Sequence, residues 1–150
     1  GIMGRITNNG YNTSVGFQRK LITKQLNAKN IETKKISYSQ YIGQMDKYSS
    51  FISPFGWGEI CFRDFESIIL GKLLIKPNCD HIITWPNIYQ ENMYLPLDWD
   101  LSDLDYALNG ISKDKTLEII NKARFYYRLQ LQQISGKVNQ IFEKVLRCKI

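Results

Sequence analysis

The chain reads as an α/β protein: a doubly wound, mostly parallel Rossmann-like sheet with helices on both faces and a long C-terminal helical segment. Three observations predict this. Short apolar runs alternate with helical patterns over residues 1–108, separated by brief polar or glycine-bearing connections. The segment Ser53 to Gly71 runs directly from an apolar strand through a glycine turn into a helix. The last forty residues repeat apolar side chains every three or four positions. With 150 residues and 43% hydrophobic content, the chain is expected to form a single domain with a full core.

The elements follow in order. Gly1 to Ile6 ends a first strand, and the Asn- and Gly-rich stretch Thr7 to Thr13 is a loop. Thr13 or Ser14 caps a helix with Val15, Leu21, Ile22 and Leu26 inward and Arg19, Lys20 and Lys24 outward, which Asn27 to Asn30 end. Ile31 to Ser37 alternates loosely and predicts a second strand. Tyr38 to Tyr48 predicts a short helix with Tyr41, Ile42 and Met45 inward, and Ser49 to Ser53 a third strand. After the turn at Phe55 to Gly58, a helix over Glu59 to Leu70 places Cys61, Phe65, Ile68 and Ile69 on the sheet. Its other face carries Glu59, Arg63 and Glu66, spaced by four and three. Gly71 closes it, and Lys72 to Ile75 is a buried strand. Pro77 to Glu91 is irregular, Met93 to Leu97 a strand, and Leu101 to Leu108 a short helix ending at Asn109-Gly110. The terminal helix carries Ile120, Ala123, Tyr127, Leu131, Ile134, Val138, Ile141 and Val145, with a break expected at Gly136.

The net charge of +6 is unevenly spread. Residues 1–50 hold eight Lys/Arg and two Asp/Glu, residues 51–110 three and nine, and residues 111–150 nine and three. This partition is milder than the basic surface of a nucleic-acid binder, so no specific nucleic acid is expected. Three scattered cysteines and one histidine argue against a disulfide framework and a zinc site. No apolar run is long enough for a membrane span. These features predict a reduced, cytoplasmic protein, in which the basic thirds allow contact with an acidic membrane surface.

The glycine turn is the candidate site. In a doubly wound sheet, ligands sit at the carboxyl ends of the strands, and helix N-termini there offer free N–H groups to anions. Trp57, between Gly56 and Gly58, is a stacking platform or a loop plug. A carboxylate at 59 or 66 can take the two hydroxyls of a ribose, and Arg63 can engage a phosphate or steady that carboxylate. Gly4-Arg5, with Arg19 or Lys20, and Lys76 at its strand end present cations to the same edge. His81 is a further candidate ligand. The chain carries no Walker sequence, Gly-x-Gly-x-x-Gly or nucleophile elbow.

The run Ser53-Pro54-Phe55-Gly56-Trp57-Gly58-Glu59, then Arg63-Asp64-Phe65-Glu66, Gly71 and Leu73 to Pro77, resembles the donor-binding half of GT-B glycosyltransferases. The nearest likeness is to bacterial surface-polysaccharide and spore-maturation-type enzymes, over roughly residues 49–108. His81, Trp85-Pro86, Tyr94-Leu95-Pro96 and Trp99 to Leu104 are compatible with it. The resemblance implies transfer of a sugar from a nucleoside-diphosphate donor, without a metal or other cofactor. It places Glu66 on the donor ribose, Arg63 beside it, and Gly56, Trp57, Gly58 and Glu59 against the diphosphate and sugar. Gly4, Arg5 and a basic residue, Arg19 or Lys20, resemble the family's diphosphate-contacting positions. Many relatives have two glutamates eight positions apart, whereas Glu59 and Glu66 are seven apart, and Glu59 is the only candidate for a catalytic role. The acceptor side and its general base belong to a preceding N-terminal domain, so these residues alone are expected to bind the donor without turnover. The alternatives are a non-catalytic nucleotide- or phosphosugar-binding module, and a basic domain docking RNA or an acidic membrane.

Overall fold

The computed structural model describes residues 1–11 and 13–147. Four strands, β1 (Ile2–Met3), β2 (Ser50–Ile52), β3 (Leu73–Pro77) and β4 (Leu95–Leu97), form one parallel sheet in the order β1-β2-β3-β4. The register pairs Ile2 with Ser50, Ser50 with Leu73, and Ile75 with Leu95. Helices α1 (Thr13–Ala28), α2 (Tyr38–Gln44), α3 (Phe62–Leu70), α4 (Lys113–Gln132) and α5 (Ile134–Arg147) surround it. The predicted α/β class and long C-terminal helical segment are both present.

Alternation along the strands sorts the core into two faces. Ile52, Leu73, Ile75 and Leu97 meet Ile22 and Leu26 of α1, with Leu101, Leu104 and Ile119. On the opposite face, Phe51 and Met3 pack on Met45, while Leu74 meets Ile68 of α3, Tyr89, Tyr94 and Ala123 of α4. The strand order never reverses, yet both faces are covered. The connection from β1 to β2 supplies a helix to each, because α1 lies on the first face and the α2 region on the second. The loop leaving β1 therefore heads for one face, and the loop leaving β2, which leads into α3, heads for the other. A crevice must open where they part.

Several sequence expectations are corrected. Ile31 to Ser37 forms no strand. It touches the continuation of β1 through one backbone bond, Ile6 N–H to the Thr33 carbonyl at 3.0 Å, and is too exposed to extend a ladder. Its entry is set by Asn30, which adopts φ 58° after α1 while Ile31 N–H closes back on the Leu26 carbonyl. Ile42, expected inward, is 44% exposed. Helix α3 begins at Phe62, not Glu59, because Gly58 and Glu59 both take left-handed φ, 69° and 73°. The buried face of α3 is Asp64, Ser67 and Ile68, while Ile69 faces solvent. The short helix over 101–108 is instead a turn leading into a π-helical segment, Tyr106–Gly110. The terminal helix breaks at Gln133, one residue before α5 begins, and Gly136 lies inside α5. Cys61 and Cys79 are free thiols, and Cys148 lies outside the described residues.

Candidate functional site

A cleft of about 480 Å³ opens where the loops after β1 and β2 part. Its walls include Tyr11 and Arg19 from the β1 side, Ser53, Gly56 and Trp57 from the β2 loop, and Arg63 and Glu66 from α3. Tyr41 of α2 closes one end.

The loop is shaped by steric necessity. An added Cβ on Gly56 would stand 2.2 Å from the Ile60 carbonyl oxygen, so only glycine lets the chain fold back on itself here. Glu59 N–H bonds the Gly56 carbonyl at 3.2 Å, completing the turn. Cys61 is extended and N-caps α3, and its N–H donates to the Asp64 carboxylate at 2.9 Å. The turn leaves the Trp57 ring 73% exposed, its centroid 5.9 Å from that of Tyr11. These two rings make one wall of the cleft.

The arginines serve as braces. Arg63 donates to the Ile52 carbonyl at 2.8 Å, to the Arg5 carbonyl, and to the Tyr41 hydroxyl at 3.3 Å. It thus ties the ends of β1 and β2 together beyond their last paired residues. Arg19 donates to Thr7 and Phe55 carbonyls at 2.7 and 2.6 Å, and its guanidinium lies 3.9 Å from the Tyr11 ring centre. Burial pulls Arg19 below its ordinary pKa, with Tyr11 acting in the opposite direction. The two guanidiniums bias the cleft toward anions, although their N–H groups serve the backbone. Arg5 pairs with Glu32 at 2.6 Å and donates to the Lys34 carbonyl and Gln44, so it braces the adjoining loop.

Glu66 accepts a 2.7 Å bond from the Tyr41 hydroxyl. Burial is the main cause pushing the Tyr41 phenol up to about 12, opposed by nearby Arg63. Tyr41 therefore stays a donor throughout the neutral range. Ser53 Oγ, fully buried in the cleft wall, has no partner among the described residues.

Behind the cleft lies a polar cluster the sequence reading missed. Lys76 and Asp64 are both 0% exposed and 3.1 Å apart. Lys76 also donates to the Glu59 and Pro54 carbonyls at 2.9 and 3.3 Å, and Tyr89 donates to Asp64 at 2.6 Å. Lys76 is thus no surface cation at a strand end. Strand alternation puts it on the Leu74 face, and such a charge is tolerable only beside a buried acid. The isolated lysine in the apolar run Leu73 to Pro77 is the sequence signal by which such a buried counter-charge could have been found.

Of the predicted site residues, Arg19, Gly56, Trp57, Arg63 and Glu66 share the cleft. Gly4 packs against Leu26 and Ile31, where a Cβ would meet their methyl carbons at 3.0 and 2.9 Å. Lys20 is exposed on α1 and lines no part of the cleft. Gly58 and Glu59 stand outside it. The expected Glu59–Arg63–Glu66 face does not form, since the left-handed turn directs Glu59 to His81, with Oε2 and Nε2 2.6 Å apart. Tyr11, Tyr41 and Ser53 are among the cleft residues not anticipated as site residues.

No family model, curated protein or solved structure matches the chain. Among the described residues, no helix is long and apolar enough to cross a membrane.

Proposed function

We propose that the cleft binds a nucleoside-diphosphate sugar and that the chain is the donor-binding domain of a glycosyltransferase. The observation that carries this reading is the convergence of four chemistries on one crevice. An aromatic wall, Tyr11 and Trp57, suits the flat face of a base or sugar. Two guanidiniums and the N-terminus of α3 favour a diphosphate. Glu66 has a carboxylate oxygen left for hydroxyls, and Ser53 has an unused hydroxyl. A ligand that is at once aromatic, dianionic and rich in vicinal hydroxyls answers all four. The likeness of Ser53 to Glu66 to GT-B donor sites points the same way.

Within this reading, Glu66 accepts the ribose hydroxyls while Tyr41 holds the carboxylate in place. Arg19, Arg63 and the α3 N-terminus stabilise charge gathering on the departing diphosphate. The acceptor and the base that deprotonates it come from outside these residues, and Glu59 has no part in the chemistry because it faces His81.

Calorimetric titration with UDP, GDP and their sugars tests the proposal. Saturable binding is expected, and Glu66→Gln should weaken it by about tenfold, the value of one lost charged hydrogen bond. Unchanged affinity in that variant, or no nucleotide binding by the wild-type chain, would overturn it.

A further inference from the structure

Helix α5 packs unlike every other long helix here: it contributes no buried residue. Its apolar side chains nevertheless form a continuous stripe. Ile134, Val138, Ile141 and Val145 recur at spacings of four, three and four, and Phe142 and Leu146 widen the face. All six are between 42% and 65% exposed. Lys137 and Lys144 sit four before and three after Ile141, so they run along one edge of the stripe, and Arg147 follows in the last turn. The single acid of the helix, Glu143, stands three before Leu146, at the other edge of the widened face.

We propose that α5 is an interfacial helix that lays this stripe into an anionic lipid surface. Charge is the first argument. Basic residues bordering an apolar arc can reach acidic headgroups while their stems lie along the acyl boundary. Size is the second. A helix of 14 residues is about 21 Å long, and its six apolar side chains are few beside the roughly 20–30 residues a side of a stable protein interface. A bilayer needs no complementary partner surface, and the helix is too short and too charged to span one.

The test is co-sedimentation of the full chain with vesicles of phosphatidylcholine plus phosphatidylglycerol, against vesicles of phosphatidylcholine alone. The anionic vesicles should bind at least about tenfold more tightly, given ~1 kcal/mol for each basic residue near the surface, and salt should erode the difference. Ile141→Glu should abolish binding, and the pair Lys137→Glu, Lys144→Glu should remove the preference for anionic lipid. Since α5 buries nothing, these variants keep the core, which an unchanged melting curve would verify. Equal binding to both vesicle types, no binding at low salt, or a dimer that Ile141→Glu dissolves would each overturn the proposal. Ile141→Glu should leave nucleotide affinity untouched, so failure here is distinct from failure of the donor reading.

Discussion

Two carboxylates on α3, Asp64 and Glu66, stand two positions apart in very different surroundings. Asp64 is fully buried and receives the Cys61 N–H, the Tyr89 hydroxyl and the Lys76 ammonium on one oxygen. Glu66 is half-buried in the cleft wall and receives only the Tyr41 hydroxyl. The first has its charge consumed by the fold, holding α3 to β3 and to the segment around Tyr89. The second has its geometry fixed by one donor and keeps capacity for a visitor. The difference follows from helical geometry. Two residues rotate the side chain by more than half a turn, from the sheet to the crevice.

If this contrast holds, substitutions at the two sites should separate stability from binding. Asp64→Ala leaves Lys76 buried without its counter-ion and should cost about 3–5 kcal/mol in urea denaturation. Asp64→Leu combined with Lys76→Met should recover much of that loss, because no unpaired charge remains. A double variant no more stable than Asp64→Ala would show that the cluster acts through something other than its charge pair.

Alkaline unfolding sharpens the same contrast on the side of the proton donors. Burial, the largest cause, pushes Tyr41, Tyr94 and the Cys79 thiol up to about 12, and Tyr89 shifts upward through burial and then the charge of Asp64. The folded protein therefore holds protons that the unfolded chain releases at its ordinary values, 9.0 for the thiol and 10.0 for the phenols. The stability these groups contribute is fully present below pH 9 and should fall progressively as pH rises toward about 12. A denaturation midpoint that stays flat across that window would contradict the described burial.

Gly56→Ala addresses the turn that leads from β2 into the helix carrying both carboxylates. The added methyl collides with the Ile60 carbonyl and should cost about 1–3 kcal/mol. It should also weaken nucleotide binding by displacing Trp57. The smallest effect is expected at the rim. His81 and Glu59 form a largely exposed pair, and His81→Ala should change stability by less than about 1 kcal/mol, read by the same denaturation. Nucleotide affinity should not respond to it.

Much of the fold was legible because it rests on periodicity. The parallel strands, the helices that start near Thr13 and Tyr38, and the glycine stop at Gly71 follow from local pattern. Legibility ended where two residues adopt left-handed backbone together. Spacing alone made Glu59, Arg63 and Glu66 one helix face, but Gly58 and Glu59 unwind it, and no propensity argument marks a glutamate for positive φ. Long-range pairing was equally hidden. Arg63 read as a partner for a phosphate or a neighbouring carboxylate because its actual acceptors, the Ile52 and Arg5 carbonyls, lie eleven and fifty-eight positions away. Five predicted residues share the cleft because the turn after β2 and the helices that follow β1 and β2 converge at the strand ends, where the fold class itself places ligands.

The brace formed by Arg63 has a mechanical meaning. Where the backbone ladder between β1 and β2 stops, a side chain takes over as the spacer, so the gape of the crevice is set by the reach of an arginine. Arg63→Lys preserves the charge and shortens the spacer. Such a change would act as a caliper adjustment, shifting which ligand widths the crevice admits before it alters how strongly anions are drawn in.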